Sequence, residues 1–162
     1  MKDKKMIWLS VVCAVSILVM CCTLFFVPKG TAKFVPPPFD ATAQEGIPQN
    51  TGESYTRIYK DGMPFSAHLC ADVIKNGDKA YVNFTNDSDN TVWMKLRILN
   101  AQNEIIGESG LLKPNSFVET IPLQQTGTET QSIQLKIMAY EPETYYSAGS
   151  VSLRTTLSNG GV

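Results

Sequence analysis

The sequence predicts an all-β protein, a single antiparallel β-sandwich preceded by one N-terminal transmembrane helix. Two observations predict this arrangement. Residues 6–27 carry no charged side chain, and a run of 22 such residues is long enough to cross a bilayer as a helix. From Met63 onward, apolar residues recur at every second position and turn residues interrupt them at short intervals, which is typical of β-strands.

The membrane anchor is predicted over residues 6–27. Three lysines lie within residues 1–5, and the positive-inside bias favours a cytoplasmic N-terminus with the β domain outside the cell. Trp8 near one end of the run, and Phe25 and Phe26 near the other, are expected at the two membrane interfaces, where aromatic rings are enriched. The predicted localisation is therefore the cell membrane, crossed once.

A cleaved signal peptide is the alternative interpretation of the same segment. The small residues around Ala32 form an acceptable cleavage site, although the apolar run is longer than the roughly 7–15 residues usual for a signal peptide. Cleavage there would release the domain as a secreted protein. Three cysteines in the run, Cys13, Cys21 and Cys22, are either apolar fillers or sites of acylation.

Cys70 is the one cysteine outside the apolar run, so the domain has no partner for an intradomain disulfide. Its fold must therefore depend on a hydrophobic core, unlike that of small disulfide-rich extracellular modules. A domain of about one hundred residues is large enough to bury such a core.

Residues 28–54 are predicted to form a flexible stalk. Prolines and glycines interrupt this segment, and the triple proline Pro36–Pro38 favours an extended polyproline II path. Random-coil scaling gives an end-to-end distance of roughly 30 Å for this length. The segment is interpreted as a spacer, in preference to a docking motif for proline-binding domains.

The β domain is predicted over residues 55–158, with residues 159–162 as a flexible tail. Asn76-Gly77 predicts a type I′ hairpin turn, because both residue types tolerate positive φ. About seven short strands at near-regular spacing indicate an immunoglobulin-like or fibronectin-like sandwich, with a small closed sheet as the alternative. The strands are expected near residues 65–73, 80–84, 92–99, 104–108, 117–123, 133–139 and 151–157.

Two segments are similar to a known pattern. Asn103–Asn115 reads NEIIGESGLLKPN, and Ala139–Thr144 reads AYEPET and is followed by Gly149. Together they resemble small membrane-anchored β-domain proteins of Gram-positive bacteria, which often lie in mobile or conjugative regions. Those proteins have a leucine–x–proline–glycine turn, and Asn115 stands here in place of its glycine. The resemblance implies a fold and a compartment, and it transfers no catalytic residue.

The charge distribution argues against a nucleic-acid partner. Beyond Val27 the chain carries 11 Lys and Arg residues against 14 Asp and Glu residues. A domain that binds a polyanion is normally basic, because neutralisation of phosphates supplies much of the affinity. No cofactor is expected either, since the sequence contains no phosphate-binding loop and no dinucleotide-binding glycine pattern.

Candidate catalytic residues are few. His68, the only histidine, and Cys70 lie two positions apart on a predicted strand, so their side chains project side by side and do not converge as a nucleophile and its base would. Together they supply two zinc ligands where three or four are needed. Asp87 and Asp89 are interpreted as turn residues, because the EF-hand pattern requires glycine where Val92 stands. No catalytic or metal-binding residue is therefore expected.

Tyr140, Tyr145 and Tyr146 bracket a predicted turn and form the candidate binding surface, since tyrosine offers contact area at a small entropic cost. The alternative is a tyrosine that fixes a corner by bonding the backbone. The sequence therefore favours a membrane-tethered extracytoplasmic module, structural or protein-binding, in an exported cell-envelope assembly. A cell-surface module for glycan or peptide ligands is the alternative function, and an enzyme using His68 or Cys70 is the least favoured one.

Overall fold

The computed structural model describes residues 2–26, 34–49, 51–52, 54–124 and 130–160. The chain divides into two compact units, Met1–Val35 and Pro36–Val162. The first unit contains the helix and the second contains the strands, and each is described by itself.

The first unit contains one helix, α1, over Lys2–Phe26. Neither glycine nor proline occurs in this stretch, and a hydroxyl side chain is satisfied within it, since Ser16 Oγ donates to the Val12 carbonyl at 2.9 Å. Among the residues that the structure describes, no helix combines the length and the hydropathy expected of a membrane span.

The aromatic residues expected at the membrane interfaces are described only in part. Trp8 is exposed on α1. The side chains of Phe25 and Phe26 lie outside the described residues, as do those of Cys21 and Cys22. The assignment of these residues to an anchor therefore stays a prediction.

The described part of the second unit contains ten strands and no helix, which confirms the all-β prediction for this unit. The strands alternate with short turns, as the period-two pattern predicts. Their bounds are β1 Gln44–Glu45, β2 Tyr55–Ile58, β3 Ala67–Cys70, β4 Val73–Asn76, β5 Lys79–Asn86, β6 Trp93–Leu99, β7 Ile105–Glu108, β8 Ser116–Pro122, β9 Gln131–Tyr140 and β10 Ser147–Asn159.

The strands form two antiparallel groups that are joined into one sheet. In the first group β3 and β4 both pair with β5, β5 pairs with β8, β8 pairs with β1, and β2 pairs with β3. The second group has the order β10–β9–β6–β7. A short parallel pairing of β4 with β10, from Val73 opposite Leu157 to Lys75 opposite Asn159, joins the two groups.

The sheet is therefore mixed, and the prediction of a purely antiparallel arrangement is wrong. The single strand predicted over residues 65–73 bends at residues 71–72, so that β4 leaves the line of β3 and runs beside the last strand in the same direction. At its other end the sheet curls back on itself, because Gly107 bridges Leu123 and Gln124 N donates to the Ile106 carbonyl at 2.6 Å.

One hydrophobic core unites the two groups. Its side chains come from the inward positions of β3, β5, β6 and β9, where alternate residues point to one face of the sheet. The predicted inward rows of β5, β6 and β9 are all buried, which confirms the period-two interpretation of these strands. They consist of Ala80, Val82 and Phe84, of Met94, Leu96 and Ile98, and of Ile133, Leu135, Ile137 and Ala139.

The backbone angles of two turns can be compared with the sequence. Asn76 pairs with Lys79, so the central residues of that hairpin turn are Gly77 and Asp78, and of these only Gly77 has positive φ, at 62°. A glycine at the first central position is typical of a type II′ turn, so the hairpin is confirmed and its predicted type I′ geometry is not. Asn115 has φ of 59°, a left-handed conformation that asparagine adopts more readily than most residues.

Residues 36–49, which we call the arm, belong to the same compact unit as the strands. Phe39 bridges Leu111 in parallel, Leu111 N donates to the Pro38 carbonyl at 2.9 Å, and Asp40 N donates to the Leu111 carbonyl at 3.0 Å. Further along the arm, β1 pairs with β8. The predicted stalk over residues 28–54 thus differs from the structure over the arm, while residues 28–33, 50 and 53 lie outside the described part.

Candidate functional site

An aromatic surface lies where β6, β9 and the β9–β10 loop meet. Trp93, on β6, is paired with Tyr140, on β9, so both side chains lie on the same face of the sheet. The Trp93 ring makes edge contacts with Phe39, at a centroid distance of 4.8 Å, and with Tyr145, at 5.3 Å. We refer to Phe39, Trp93, Tyr140, Tyr145 and Tyr146 as the aromatic surface.

Tyr145 reaches Trp93 through a strained backbone. Its φ is 59°, and Glu143 in the same loop has φ of 65°, a region that bulky residues rarely adopt. Backbone hydrogen bonds hold the loop, among them one from Tyr145 N to the Glu141 carbonyl at 3.0 Å and one from Glu141 N to the Tyr146 carbonyl at 2.8 Å. Backbone strain of this kind, of order 1–3 kcal/mol per residue, clusters at functional sites.

The aromatic surface is open to solvent at its margins. Tyr146 is 71% exposed and Phe39 is 41% exposed. Lys113 Nζ lies 5.0 Å from the centre of the Phe39 ring, which adds a cation beside the apolar surface. The Tyr140 hydroxyl donates to Met138 Sδ at 3.6 Å, so its described bond goes to a side chain and not to the backbone of a corner.

The sequence predicts Tyr140, Tyr145 and Tyr146 as the binding surface, and it does not predict the other two members of the aromatic surface. Trp93 occupies an outward position of a strand with clear alternation, and this position is a signal that sequence reasoning could have used. Phe39 lies in the segment predicted as a stalk, and no periodicity marks it as part of the domain.

A polar cluster surrounds Asp87, directly after β5. Its Oδ1 lies 2.7 Å from His68 Nδ1, and its Oδ2 accepts a hydrogen bond of 2.5 Å from Ser66 Oγ. Arg57 Nη2 donates to Ser66 Oγ at 3.0 Å, and Arg57 Nε lies 3.9 Å from Asp87 Oδ2. The cluster therefore ties β2 and β3 to the end of β5 by charge-assisted hydrogen bonds.

Tyr55 extends this cluster into an open cleft. Its ring stacks on His68 with centroids 5.4 Å apart, and its hydroxyl lies 2.7 Å from Thr85 Oγ1. Burial raises the pKa of Tyr55, because burial disfavours the phenolate and outweighs the hydrogen bond with Thr85. The cleft has a volume of about 350 Å³, and Arg57 and Asp89 are among its other lining residues.

Beneath the cluster lie two buried asparagines. Asn86 is fully buried, and its Nδ2 donates to the carbonyls of Val92, at 2.9 Å, and Leu112, at 3.0 Å. Asn90 Nδ2 donates to Asn86 Oδ1 at 2.7 Å and to the Ser66 carbonyl at 2.6 Å, while Asn90 Oδ1 accepts from Ser66 N. The two amides replace backbone pairing at the point where β5 ends, so their role is structural.

The polar cluster does not have the arrangement of a nucleophile and its base. His68 bonds to Asp87, whereas Cys70 is buried and its Sγ accepts from Asn83 Nδ2 at 3.5 Å. Asp87 stands between Ser66 and His68, so the serine proton faces a carboxylate and not the imidazole that would remove it in a triad. In the part of the chain that the structure describes, no three His, Cys, Asp or Glu side chains are grouped as metal ligands.

A group of ion pairs lies on the outer face of β6 and β7. Lys95 is only 6% exposed, and its Nζ lies 2.9 Å from Glu108 Oε1. Arg97 Nε donates to Glu108 Oε2 at 2.9 Å. Partial burial raises the pKa of Glu108, but the hydrogen bonds from Lys95 and Arg97 outweigh it, so that the pKa lies below its ordinary value.

The comparisons with known proteins give no match. No protein-family model matches the chain, and neither a curated protein nor a solved structure does. The resemblance to membrane-anchored proteins of Gram-positive bacteria therefore stays a prediction.

Proposed function

We propose that this chain is a membrane-tethered binding module whose aromatic surface recognises a partner protein in the cell envelope. The observation that supports this proposal is Tyr145, whose strained backbone holds its ring against Trp93. A loop whose only role was to connect β9 to β10 would not require a bulky side chain at positive φ. The strain is accounted for if the ring has to stand in this position to meet a partner.

The composition of the surface favours a protein partner. Tyrosine and tryptophan are enriched at protein interfaces, because they bury a large area and lose few rotatable bonds. Contiguous exposed apolar surface on a soluble domain is also typical of interaction sites. Lys113, beside Phe39, supplies the polar margin that such interfaces have.

The proposed architecture is an immunoglobulin-like sandwich on an N-terminal anchor. The strand pairing supports the first part, because two antiparallel groups share one core. β4, which pairs with β5 of the first group, also pairs with β10 of the second. The sequence supports the second part, because residues 6–27 are uncharged and three lysines precede them. The domain then lies outside the cytoplasm.

Photo-crosslinking in living cells tests the proposed function. A photoreactive benzophenone amino acid in place of Tyr146 is expected to trap a discrete protein, and the same substitution at Tyr81 is not. Tyr81 is the matched control, since it is an exposed tyrosine on β5. The Trp93→Ala change should abolish the adduct at Tyr146 while expression persists.

Two results would overturn the proposal. Equal adducts at Tyr146 and Tyr81 would mean that the aromatic surface is not selective. Adducts that contain glycan and no protein would favour the alternative module for glycan ligands.

A further inference from the structure

The last strand has an open edge along most of its length. β9 pairs with β10 from Ser147 to Leu157, but β4 pairs with its other side only from Leu157 to Asn159. In an antiparallel ladder, alternate residues direct their N–H and C=O groups away from the partner strand. Between Gly149 and Arg154 these groups make no backbone hydrogen bond to another described segment, whereas at the next position Thr155 Oγ1 donates to the Ala71 carbonyl at 2.5 Å.

The inward side of this edge is incompletely covered. Three apolar residues of β10 face the core, namely Val151, Leu153 and Leu157. The first two pair with inward residues of β9, and Leu157 pairs with the first residue of β9. Leu157, which β4 flanks, is 2% exposed, whereas Val151 and Leu153 are only half-buried. Within this one strand, the residue that has β4 beside it is buried and the two that do not are half-buried. A further strand that continued the line of β4 would therefore bury these two side chains in the same way.

The outward side of the same edge is basic. Ser150, Ser152 and Arg154 alternate along it, opposite Met138, Lys136 and Gln134 of β9. Neither Arg154 nor Lys136 has an ion pair within the described residues. Lys136 also stands opposite Arg97 of β6, and like charges in this position disfavour the sheet. These cations therefore favour an acidic neighbour that no described residue supplies at this edge.

The middle of the edge lacks the features that block strand addition. Residues 149–153 contain no charged side chain and no proline, which usually protect an edge. The irregularity between Ser147 and Gly149 and the charged Arg154 lie at the two ends of this stretch. An open edge with one apolar side and one basic side favours one kind of segment. Main-chain hydrogen bonds hold that segment extended, and its side chains then face the apolar side and the basic side alternately.

We propose that the edge of β10 over Gly149–Arg154 receives an extended segment of a partner protein, about six residues long. The segment pairs its main chain with β10. It places acidic side chains beside Arg154 and β-branched apolar side chains over Val151 and Leu153. This site is separate from the aromatic surface, and it stands whether or not that surface binds a partner.

The experiment uses the full chain in detergent micelles and a fluorescent eight-residue peptide of alternating glutamate and valine. Binding is measured by anisotropy, and the binding position by hydrogen exchange of the β10 amides. We expect saturable binding that slows exchange between Gly149 and Arg154. A peptide of the same sequence whose alternate amides are methylated should not bind, because it cannot form the ladder.

Charge reversal tests the proposed contact with Arg154. The Arg154→Glu change should weaken binding of the glutamate peptide about three- to tenfold, in line with one cross-strand charge pair. It should strengthen binding of a peptide with lysine in place of glutamate. Lys79→Glu is the matched control, since Lys79 is exposed on β5 and pairs with Asn76 and Pro122 and not with β10, and it should change neither affinity.

Three outcomes would overturn the proposal. The first is equal binding of the methylated peptide, and the second is unchanged affinity in the Arg154→Glu variant. The third is protection of the β10 amides at high protein concentration without peptide, which would identify a second copy of the chain as the occupant.

Discussion

Asp40 and Gly110, seventy positions apart in the sequence, lie in direct contact: the Asp40 carboxylate accepts a hydrogen bond of 2.7 Å from Gly110 N. A Cβ atom at position 110 would lie 2.4 Å from Asp40 N, closer than any non-bonded contact allows. Glycine is therefore required at position 110 so that the arm can lie against the domain. Through this contact the arm also brings Phe39 to Trp93.

Gly110→Ala should detach the arm. The added methyl group forces the backbone of Asp40 away, and overpacking of this kind costs about 1–3 kcal/mol. Unfolding in urea measures the loss of stability. Fluorescence of Trp93 in a Trp8→Phe background reports the departure of Phe39, because Trp8 and Trp93 are the only tryptophans.

Gly52→Ala is the control for this experiment, because a Cβ at position 52 meets no atom within 4 Å and the glycine does not have positive φ. It should leave both the stability and the fluorescence unchanged. If Gly110→Ala behaves in the same way as Gly52→Ala, the contact between the arm and the domain is not formed in solution.

Asn86→Leu should destabilise the domain strongly. The substitution keeps the branched shape of the side chain. It leaves the buried Val92 carbonyl without its donor and one Nδ2 hydrogen of Asn90 without its acceptor, while the Leu112 carbonyl keeps its bond from Met94 N. Each such orphaned group costs about 1–3 kcal/mol, so we expect a loss of about 2–4 kcal/mol in the free energy of unfolding. Asn159→Leu, at an exposed position, should change it by less than about 0.5 kcal/mol. A loss below 1 kcal/mol for Asn86→Leu would contradict the network.

The Glu108 group should make stability depend on acid pH. Because its pKa in the folded state is lowered by Lys95 and Arg97, the unfolded chain takes up the proton first as pH falls. The stabilisation is therefore complete above the ordinary glutamate pKa and is lost as pH falls through the folded value. The free energy of unfolding of the wild type and of Glu108→Gln should differ most near pH 7 and converge below about pH 4.

Glu119→Gln serves as the control for the pH series, because Glu119 is exposed and makes no ion pair within the described residues. Its difference from the wild type should stay small across the series. A constant difference between the wild type and Glu108→Gln from pH 7 to pH 3 would contradict the ion-pair account.

The sequence predicts the β5, β6 and β9 core rows correctly because their alternation is long and uninterrupted. It does not predict the parallel pairing of β4 with β10, because a bend of two residues at 71–72 leaves no mark in the hydrophobic pattern. β1 and β2 are too short to show a period. Strands of two and four residues are positioned by the strands with which they pair.

The candidate site is predicted only in its loop. Tyr140, Tyr145 and Tyr146 are near one another in sequence, so local turn chemistry brings them together. Phe39 and Trp93 join them through contacts across more than fifty positions, which no local pattern encodes. The sequence identifies Asp87 only as a turn residue for the same reason, since its partners Ser66 and His68 lie about twenty positions earlier in the chain.

Membrane topology can be tested directly. Protease added to intact cells whose wall has been removed should digest the domain and leave a small anchor fragment, because the lysines of residues 1–5 favour a cytoplasmic N-terminus. A cytoplasmic epitope placed before Met1 should survive as the control for cell integrity. Protection of the domain until the cells are lysed would reverse the proposed orientation.

Residues 36–162 should fold without the helix, and residues 55–162 should fold less stably. The longer fragment keeps the arm, which supplies the β1–β8 pairing and covers Leu111, now 1% exposed. Removing those hydrogen bonds and that apolar contact should lower the free energy of unfolding by about 2–4 kcal/mol.

Cys70 offers the measurement for this comparison. It is the only cysteine in either fragment, and it is 8% exposed, so a thiol reagent should label it only when the domain opens. At equal reagent concentration, Cys70 should therefore be labelled faster in 55–162 than in 36–162. Where opening and closing are fast relative to labelling, the ratio of the two rates should match the ratio of the two unfolding equilibrium constants. Equal rates with equal urea midpoints would mean that the arm does not stabilise the domain. Aggregation of 36–162, with labelling as fast as in denaturant, would instead mean that the domain needs a partner strand before it can fold.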